Sequence, residues 1–555
     1  MKRDLPQMAQ ETFDLVIIGG GISGASIAWD ATLRGLKVAL LEKDDFAHAT
    51  TAGSSKLIHG GLRYLVNGEL GLVRESLRER RIWETIAPHM VDPLPFLIPT
   101  YGKGMQSGFV LSVGLTFYDL LSFDRNWLND EDKKLPGYKS LSKEEALAIM
   151  PSLKKEGLTG AKIYYDCQMF APERLCLEFI LGATDKGARA ANYAKVTDFI
   201  RHDDIVEGVV VEDRLTGETH NIRANLVINA SGPWADKVMG LADETPSRGL
   251  IRSKGIHIIT RELSGKTALA VQSAIGGHFF VIPWRGHTIF GTTDTIFKGN
   301  PDALGVSEED IASFLTVVND GLPGLNLTRQ DVVHHYAGLR PLVDTNPNDG
   351  EETESYNVSR AAEVADHAKL DGIEGFISAL GGKWTTSRHL AEQVVTMAFK
   401  KLGRDAPKSP TATTPLYGGD IKIFRKFLEQ AQKNHPDIDP AIIENLARFH
   451  GSRLEDILTS DNANKHNAAA LLEPLSDTRK DIGAQIIHSV RNEMAITLSD
   501  MLFRRSGIAT LGHPGTELLG KAADLMAEEL DWDISERAIQ IEAVKRRLET
   551  VPNEL

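Results

Sequence analysis

Apolar positions fall into short β-type runs over the first four hundred residues and into wider, helix-spaced sets thereafter. Residues 14–18, DLVII, form a β-type run. SGASIAWDATLRG (23–35) has helical spacing, and KVALLEK (37–43) returns to the β pattern. Strand, tight turn, helix and strand in so short a span predict a βαβ unit. Residues 46–66 are rich in Gly, Ser and Thr and predict a long loop before a helix through ESLRERRIWETIAP (75–88). Pro93, Pro95 and Pro99 punctuate an extended segment. IVEGVVVED (205–213) and HNIRANLVINASG (220–232), joined by a TGE turn, predict a meander ending in a buried strand. GIHIIT, HFFVIPW and HTIFGTT (255–260, 278–284, 287–293) predict a sheet that covers something. After Asn346 a polar loop precedes residues 375–403, read as a strand turning into a long helix. From about Gly418 the pattern is helical, with breaks at Pro436 and Pro440.

At 555 residues the chain predicts two or three domains. Its 42% hydrophobic and 25% charged residues are those of a folded protein with a large core. A net charge of −14 repels nucleic acid and anionic lipid over the molecule as a whole. No nucleic-acid partner is therefore expected, and any membrane contact must be a local patch. Cys167 and Cys176 lack companions at metal-ligand spacing and read as thiols in a reducing compartment. The N-terminal fifteen residues have a basic pair but no apolar core, so they do not read as a secretory signal. The most apolar stretch, 109–123, contains Asp119 and falls short of the roughly 20 residues of a spanning helix. The stretch from Gly104 to Phe123 reads as a buried helix in preference to a membrane contact. The charged run Arg78-Glu79-Arg80-Arg81 reads as a solvated helix face. No cluster has metal-ligand spacing, and no G-x-S-x-G elbow sits at a strand–helix turn, so neither a metal site nor a serine hydrolase is predicted.

The candidate chemistry begins at Gly19-Gly20-Gly21-Ile22-Ser23-Gly24, a G-x-G-x-x-G motif between strand and helix. Gly19 permits the tight turn, Gly21 lets the backbone approach a pyrophosphate, and Gly24 lets helix and strand pack closely. Ile22 and Ser23 complete the phosphate-facing turn. Glu42 ends the second strand, where a carboxylate accepts hydrogen bonds from the adenosine ribose and disfavours a 2′-phosphate; Lys43 follows it. Three features favour FAD over NAD. The motif lies at the extreme N-terminus. LVINASGPWAD (226–236), with Gly232, resembles the strand-plus-A-x-G segment that returns to FAD in two-domain flavoproteins. Gly381-Gly382-Lys383-Trp384-Thr385-Thr386 opens a helix whose N-terminus directs positive charge at a flavin that becomes anionic on reduction.

Ser54-Ser55-Lys56-Leu57-Ile58-His59-Gly60-Gly61-Leu62-Arg63-Tyr64-Leu65 resembles the stretch after the FAD fingerprint in the aerobic, FAD-dependent glycerol-3-phosphate dehydrogenase family. SKGIH (253–257), IPW (282–284), GTTD (291–294), GLRPL (338–342) and GGKWTT (381–386) follow in that family's order. ARFHGS (447–452) and EMAITLSDMLFRRSG (493–507) resemble its helical domain, so the resemblance spans nearly the whole chain. It implies an α/β fold: a doubly wound, Rossmann-like FAD-binding domain, a mixed β-sheet domain capping the substrate, and a C-terminal all-helical domain. The first two would occupy 1–410, with FAD segments near 12–90, 188–240 and 335–402 and substrate segments near 91–187 and 241–334. The helical domain would take 411–555.

The implied reaction is oxidation of sn-glycerol 3-phosphate to dihydroxyacetone phosphate, with hydride passing from C2 to N5 of a non-covalent FAD. Arg63 and Arg340 are implied to hold the phosphate, a role suited to the bidentate guanidinium, with Tyr64 lining the same pocket. His257 is the expected base and a substrate contact; Arg340 and Lys383 are the rival proton acceptors. Lys383 also stabilises the alkoxide or the reduced flavin. Ser54, Ser55, Lys56, Gly382, Lys383, Thr385 and Thr386 are expected to contact FAD. The resemblance further implies a membrane quinone as electron acceptor and peripheral attachment at the cytoplasmic membrane face. A homodimer is expected.

Plain competitors stand beside these roles. Arg63 and Arg340 also fit structural ion pairs, and His257 fits a satisfied core histidine. His59 reads as packing or flavin-adjacent. His48 near the motif is no sign of a covalent flavin. The alternative activities are an oxidase passing electrons to oxygen, an amine-oxidising flavoenzyme, and a flavin-binding sensor. The substrate half carries no long insertion, which favours the dehydrogenase over the oxidase.

Overall fold

The computed structural model describes residues 1–66, 68–102, 104, 106–345, 361–459, 467–477 and 479–552. The polar loop expected after Asn346 lies outside these residues.

The strand Thr12–Ile18 is buried along almost its whole length, as a strand covered on both faces must be. It runs parallel to Val38–Leu41 on one side and to Thr219–Asn229 on the other. Arg189–Ala191 and Phe376–Gly381 extend the sheet in parallel, and Ala362–Asp366 closes one edge antiparallel. The expected meander is present as Ala194–His202, Ile205–Asp213 and Thr219–Asn229. The helices Ile22–Leu33, Pro172–Asp185 and Ser387–Lys401 share one apolar core with this sheet.

A second, ten-stranded mixed sheet stands beside the first. Its spine is the antiparallel pair Gly249–Arg261 and Val332–Asp344, in which Ser253 faces Arg340, Gly255 faces Gly338 and His257 faces Tyr336. Alternation along a strand brings these six residues to one face. Two boundaries differ from expectation. The strand Val332–Asp344 belongs to this second sheet, although 335–402 was expected on the cofactor side. The helix Pro172–Asp185 shares the core of the first sheet, although 91–187 was expected to face substrate. That helix is buried from Pro172 to Ala183 because the C-terminal helices cover its other side. Arg174 donates to the carbonyl of Phe449 and pairs with Glu493 at 2.7 Å.

The C-terminal region is helical from Phe424–Asn434 to Ile534–Leu548, with Pro440 opening its second helix. Among the described residues no helix is long and apolar enough to cross a membrane.

Two expectations fail in opposite senses. In the helix Leu70–Ile86, Glu79 and Arg80 are fully buried. Arg388 donates to Glu79 at 2.6 and 2.7 Å, and Arg80 pairs with Asp166, whose carboxylate also accepts from Tyr118. Only Arg78 and Arg81 of that run reach solvent. The helix Gly108–Leu121, expected to be buried, buries only Leu115 and Tyr118. Phe109 is 79% exposed, and Phe117, Leu120, Phe123 and Trp127 all exceed half exposure.

Candidate active site

Two cavities meet between the sheets, of about 520 Å³ and about 1200 Å³. They share Thr50, Pro341, Gly381, Gly382, Lys383 and Trp384 as walls. The result is one elongated space running from the glycine motif to the face that carries His257 and Arg340.

The first cavity is built from backbone. Gly19 has φ +109°, and a Cβ there would come within 2.6 Å of the Ala230 carbonyl, so the turn admits glycine. Gly24 packs directly on the carbonyl of Gly19, the close strand–helix approach its position calls for. Gly21, Ile22 and Ser23 line the space at the start of the Ile22–Leu33 helix, which has no side-chain cap of its own. The hydroxyl of Thr51 accepts from the Ile22 N–H at 2.9 Å. Glu42 lines the far end and accepts from the N–H groups of Gly20 (2.7 Å) and Asp44 (2.9 Å). Desolvation pushes its carboxyl up to about 7, against the pull of those donors. Lys43 closes this end by pairing with Asp302 and lying 4.1 Å over the Trp234 ring. Gly232 lines the same space, and His48 forms part of its wall. The set suits a dinucleotide: a glycine turn and helix N-terminus for pyrophosphate, and a carboxylate for ribose hydroxyls.

The second cavity is built from side chains. Arg340 donates to Ser253 Oγ and Thr292 Oγ1, each at 3.0 Å, and to the Thr293 carbonyl at 3.1 Å. The Arg340 guanidinium lies directly on Gly255, where a Cβ would come within 2.5 Å of it, and the backbone of loop residue Gly53 packs against Gly338. His257 is stacked on Tyr336 at 4.7 Å, and its Nε2 shares a 2.9 Å hydrogen bond with Ser55 Oγ. Nδ1 is buried without a hydrogen-bond partner. Burial, reinforced by the charges of Arg340 and Lys56, holds His257 well below its ordinary range and so favours the neutral ring. Lys383 donates to Ser76 Oγ at 2.7 Å and sits 4.3 Å over the Tyr64 ring.

Most of the expected site residues meet here. Ser54, Ser55, His59, Tyr64, His257, Arg340, Gly382, Lys383 and Thr385 line the second cavity. Lys56 does not: its ammonium is buried in an ion pair with Glu173 at 2.7 Å, turned away from both cavities. Thr386 is buried behind the wall. Arg63 heads the short helix Arg63–Val66, but its side chain lies outside the described residues. Sequence reasoning missed Thr51, Trp234, Asp302 and Tyr336. Thr51 caps a helix that begins 29 residues earlier, a contact that no local spacing announces.

Comparison with known proteins gives two family matches. Residues 14–388 match the family described as FAD dependent oxidoreductase, and residues 409–537 match the C-terminal domain of alpha-glycerophosphate oxidase. A glycerol-3-phosphate dehydrogenase of Synechocystis is 37% identical over 96% of this chain and 95% of its own length. An aerobic glycerol-3-phosphate dehydrogenase of Staphylococcus aureus is 34% identical over 98% and 94%. The crystal structure of a Bacillus halodurans glycerol-3-phosphate dehydrogenase, complexed with FAD, superposes with a TM-score of 0.78 at 29% identity, covering 98% of this chain and 96% of that one.

Proposed function

The chain belongs to the FAD-dependent oxidoreductase family, and we propose on that premise that it oxidises sn-glycerol 3-phosphate to dihydroxyacetone phosphate with non-covalently held FAD. The observation that carries this reading is the continuity of the space. A glycine turn built for pyrophosphate opens directly onto a face that presents Arg340, His257 and Lys383.

Gly19, Gly21, Ile22 and Ser23 would hold the pyrophosphate, Glu42 the ribose, and Gly382, Lys383 and Thr385 the flavin end. Bound FAD supplies the acceptor for the hydride that leaves C2. Arg340, preset by Ser253, Thr292 and Thr293, binds the substrate phosphate, with Arg63 as the second cation. Entry of a phosphate dianion offsets the field of Arg340 that helps keep His257 neutral. The imidazole then takes the C2 hydroxyl proton more readily, with Ser55 fixing the ring. Lys383 steadies the negative charge that develops at the junction of the two cavities.

Electrons pass on to a membrane quinone, and the helix Gly108–Leu121 rests on the lipid surface. Its exposed Phe109, Phe117 and Leu120 suit the acyl boundary. Arg74 and Arg81 lie over the rings of Phe123 and Trp127 at 4.6 and 5.6 Å, where they meet anionic headgroups. The same helix supplies Leu111 to the wall of the second cavity.

The test is anaerobic addition of glycerol 3-phosphate to the purified yellow protein. Bleaching of the flavin by glycerol 3-phosphate, and not by glycerol or lactate, is the expected result. A flavin that stays oxidised overturns the substrate assignment. Peroxide formed at the turnover rate on readmitting air would identify an oxidase instead.

A further inference from the structure

The first cavity's outer wall is the loop from Glu42 to Thr51, of which Glu42, Lys43, Asp44, His48, Ala49, Thr50 and Thr51 face the space. Asp45 points the other way. Its carboxylate is buried and receives Arg504 and both terminal nitrogens of Arg505, the latter at 2.7 and 2.9 Å. Asn192 adds a donor at 2.9 Å. Arg505 is itself fixed by the carbonyls of Glu493 and Met494. Arg504 also pairs with Asp500, which accepts from Tyr193 at 2.7 Å. The loop is anchored to the glycine turn by Ala47 N–H donating to the Gly20 carbonyl at 3.0 Å, and Ala47 holds φ +60° to do so. Every one of the two arginines' carboxylate and carbonyl partners outside this loop lies within the C-terminal helical region, near its π-turn Asp500–Arg505.

We infer that the C-terminal domain is a positioning element for the cofactor: Arg504 and Arg505 lock the Glu42–Thr51 loop through Asp45 and thereby set the affinity for the ADP half of FAD. This rests on FAD being the occupant of the first cavity. The two arginines line neither cavity and reach its loop through Asp45. Two guanidinium groups and an amide converge on one carboxylate, which leaves the loop little freedom beside the glycine turn.

The experiment uses full-length apoprotein, titrated with FAD and separately with ADP and FMN, binding being followed by flavin fluorescence or calorimetry. Wild-type protein that fails to bind FAD would sink the cofactor reading itself. Given wild-type binding, Arg505→Lys keeps the charge but loses the two-nitrogen grip on Asp45. It is expected to weaken FAD and ADP at least tenfold while leaving FMN unchanged. Tyr193→Phe, which removes only the outermost hydroxyl of the network, is expected to weaken ADP two- to threefold in a protein that folds normally. If Arg505→Lys lowers the melting temperature of the apoprotein while both variants bind FAD and ADP like wild type, the cluster is a staple only and the inference is wrong. Should Arg505→Lys fail to fold, unchanged ADP affinity in Tyr193→Phe overturns it equally.

Discussion

The helices Leu70–Ile86 and Gly108–Leu121 lie side by side and invert each other. The first is polar in sequence and carries Glu79, Arg80 and Glu84 into the interior. The second is apolar in sequence and presents Phe109, Val113, Phe117 and Leu120 to the outside. A helix's own hydropathy tells which face is apolar, but burial is decided by what the rest of the chain brings to it. Glu79 can go inside because Arg388 waits there, and Arg80 because Asp166 does. For the second helix none of the described residues covers the exposed face, which is why a lipid surface is the proposed occupant.

The comparison breaks most visibly at the paired charges. Arg388→Met removes both short donors from buried Glu79 and leaves it only Arg78 at 3.2 Å, and is expected to cost ~3–5 kcal/mol of unfolding free energy in urea titration. A loss within ~1 kcal/mol would mean that water reaches Glu79 and that the helix is less enclosed than its geometry indicates.

Glu84 offers a sharper variant on the same helix. Both its oxygens are buried without a hydrogen-bond partner, and desolvation pushes its carboxyl up to about 8, against the attraction of Arg80. A carboxyl whose folded value is raised binds its proton more tightly in the native state. Stability therefore falls as pH rises from the unfolded value near 4.5 towards 8. At about 1.4 kcal/mol per pH unit this reaches a few kcal/mol, and Glu84→Gln should flatten the decline. An unaltered pH profile in that variant would place the titration elsewhere.

On the apolar helix the expectation is opposite. Replacing Phe117 and Leu120 by Ser should leave folding stability within about 0.5 kcal/mol, as exposed positions do. Each residue removed should forfeit ~1.5–3 kcal/mol of partitioning into anionic vesicles, read by flotation. Unchanged flotation with unchanged stability would separate this face from the membrane altogether.

The smallest effect is expected where the two helices are tied together. Arg74 makes a two-pronged contact with Asp124 at 2.9 Å on each oxygen. Despite desolvation, Arg74 and Arg81 hold Asp124 below the usual carboxylate range. Because Arg74 is partly exposed, Arg74→Ala should cost only ~1 kcal/mol. That contribution is present above about pH 4 and lost on acidification, which a urea titration at two pH values would detect.

The glycine motif was legible because a tight turn and a close backbone approach demand glycine at fixed spacing, whatever the rest of the chain does. The strands and the helical character of the C-terminal region were legible from their period. The buried charges of Leu70–Ile86 were not, since Asp166 and Arg388 stand 86 and 309 residues from their partners. Lys56 misled for the same reason: inside a run that otherwise lines the site, its partner Glu173 is 117 residues away. The side chains of the second cavity became readable only through family resemblance, because His257 and Arg340 are neighbours by sheet register and not by sequence.

The carboxylate of Asp45 meets Arg504 and Arg505 across 459 and 460 residues of chain. At a synthesis rate of about 5–20 residues per second, roughly 20–90 s separate the emergence of the acid from that of the bases. During that interval the nascent protein carries the glycine turn and its sheet but not the clasp behind the loop. The order of manufacture thus places completion of the nucleotide end among the last events of folding, and a ribosome stalled short of residue 500 holds a chain whose Asp45 has Asn192 to meet but neither arginine.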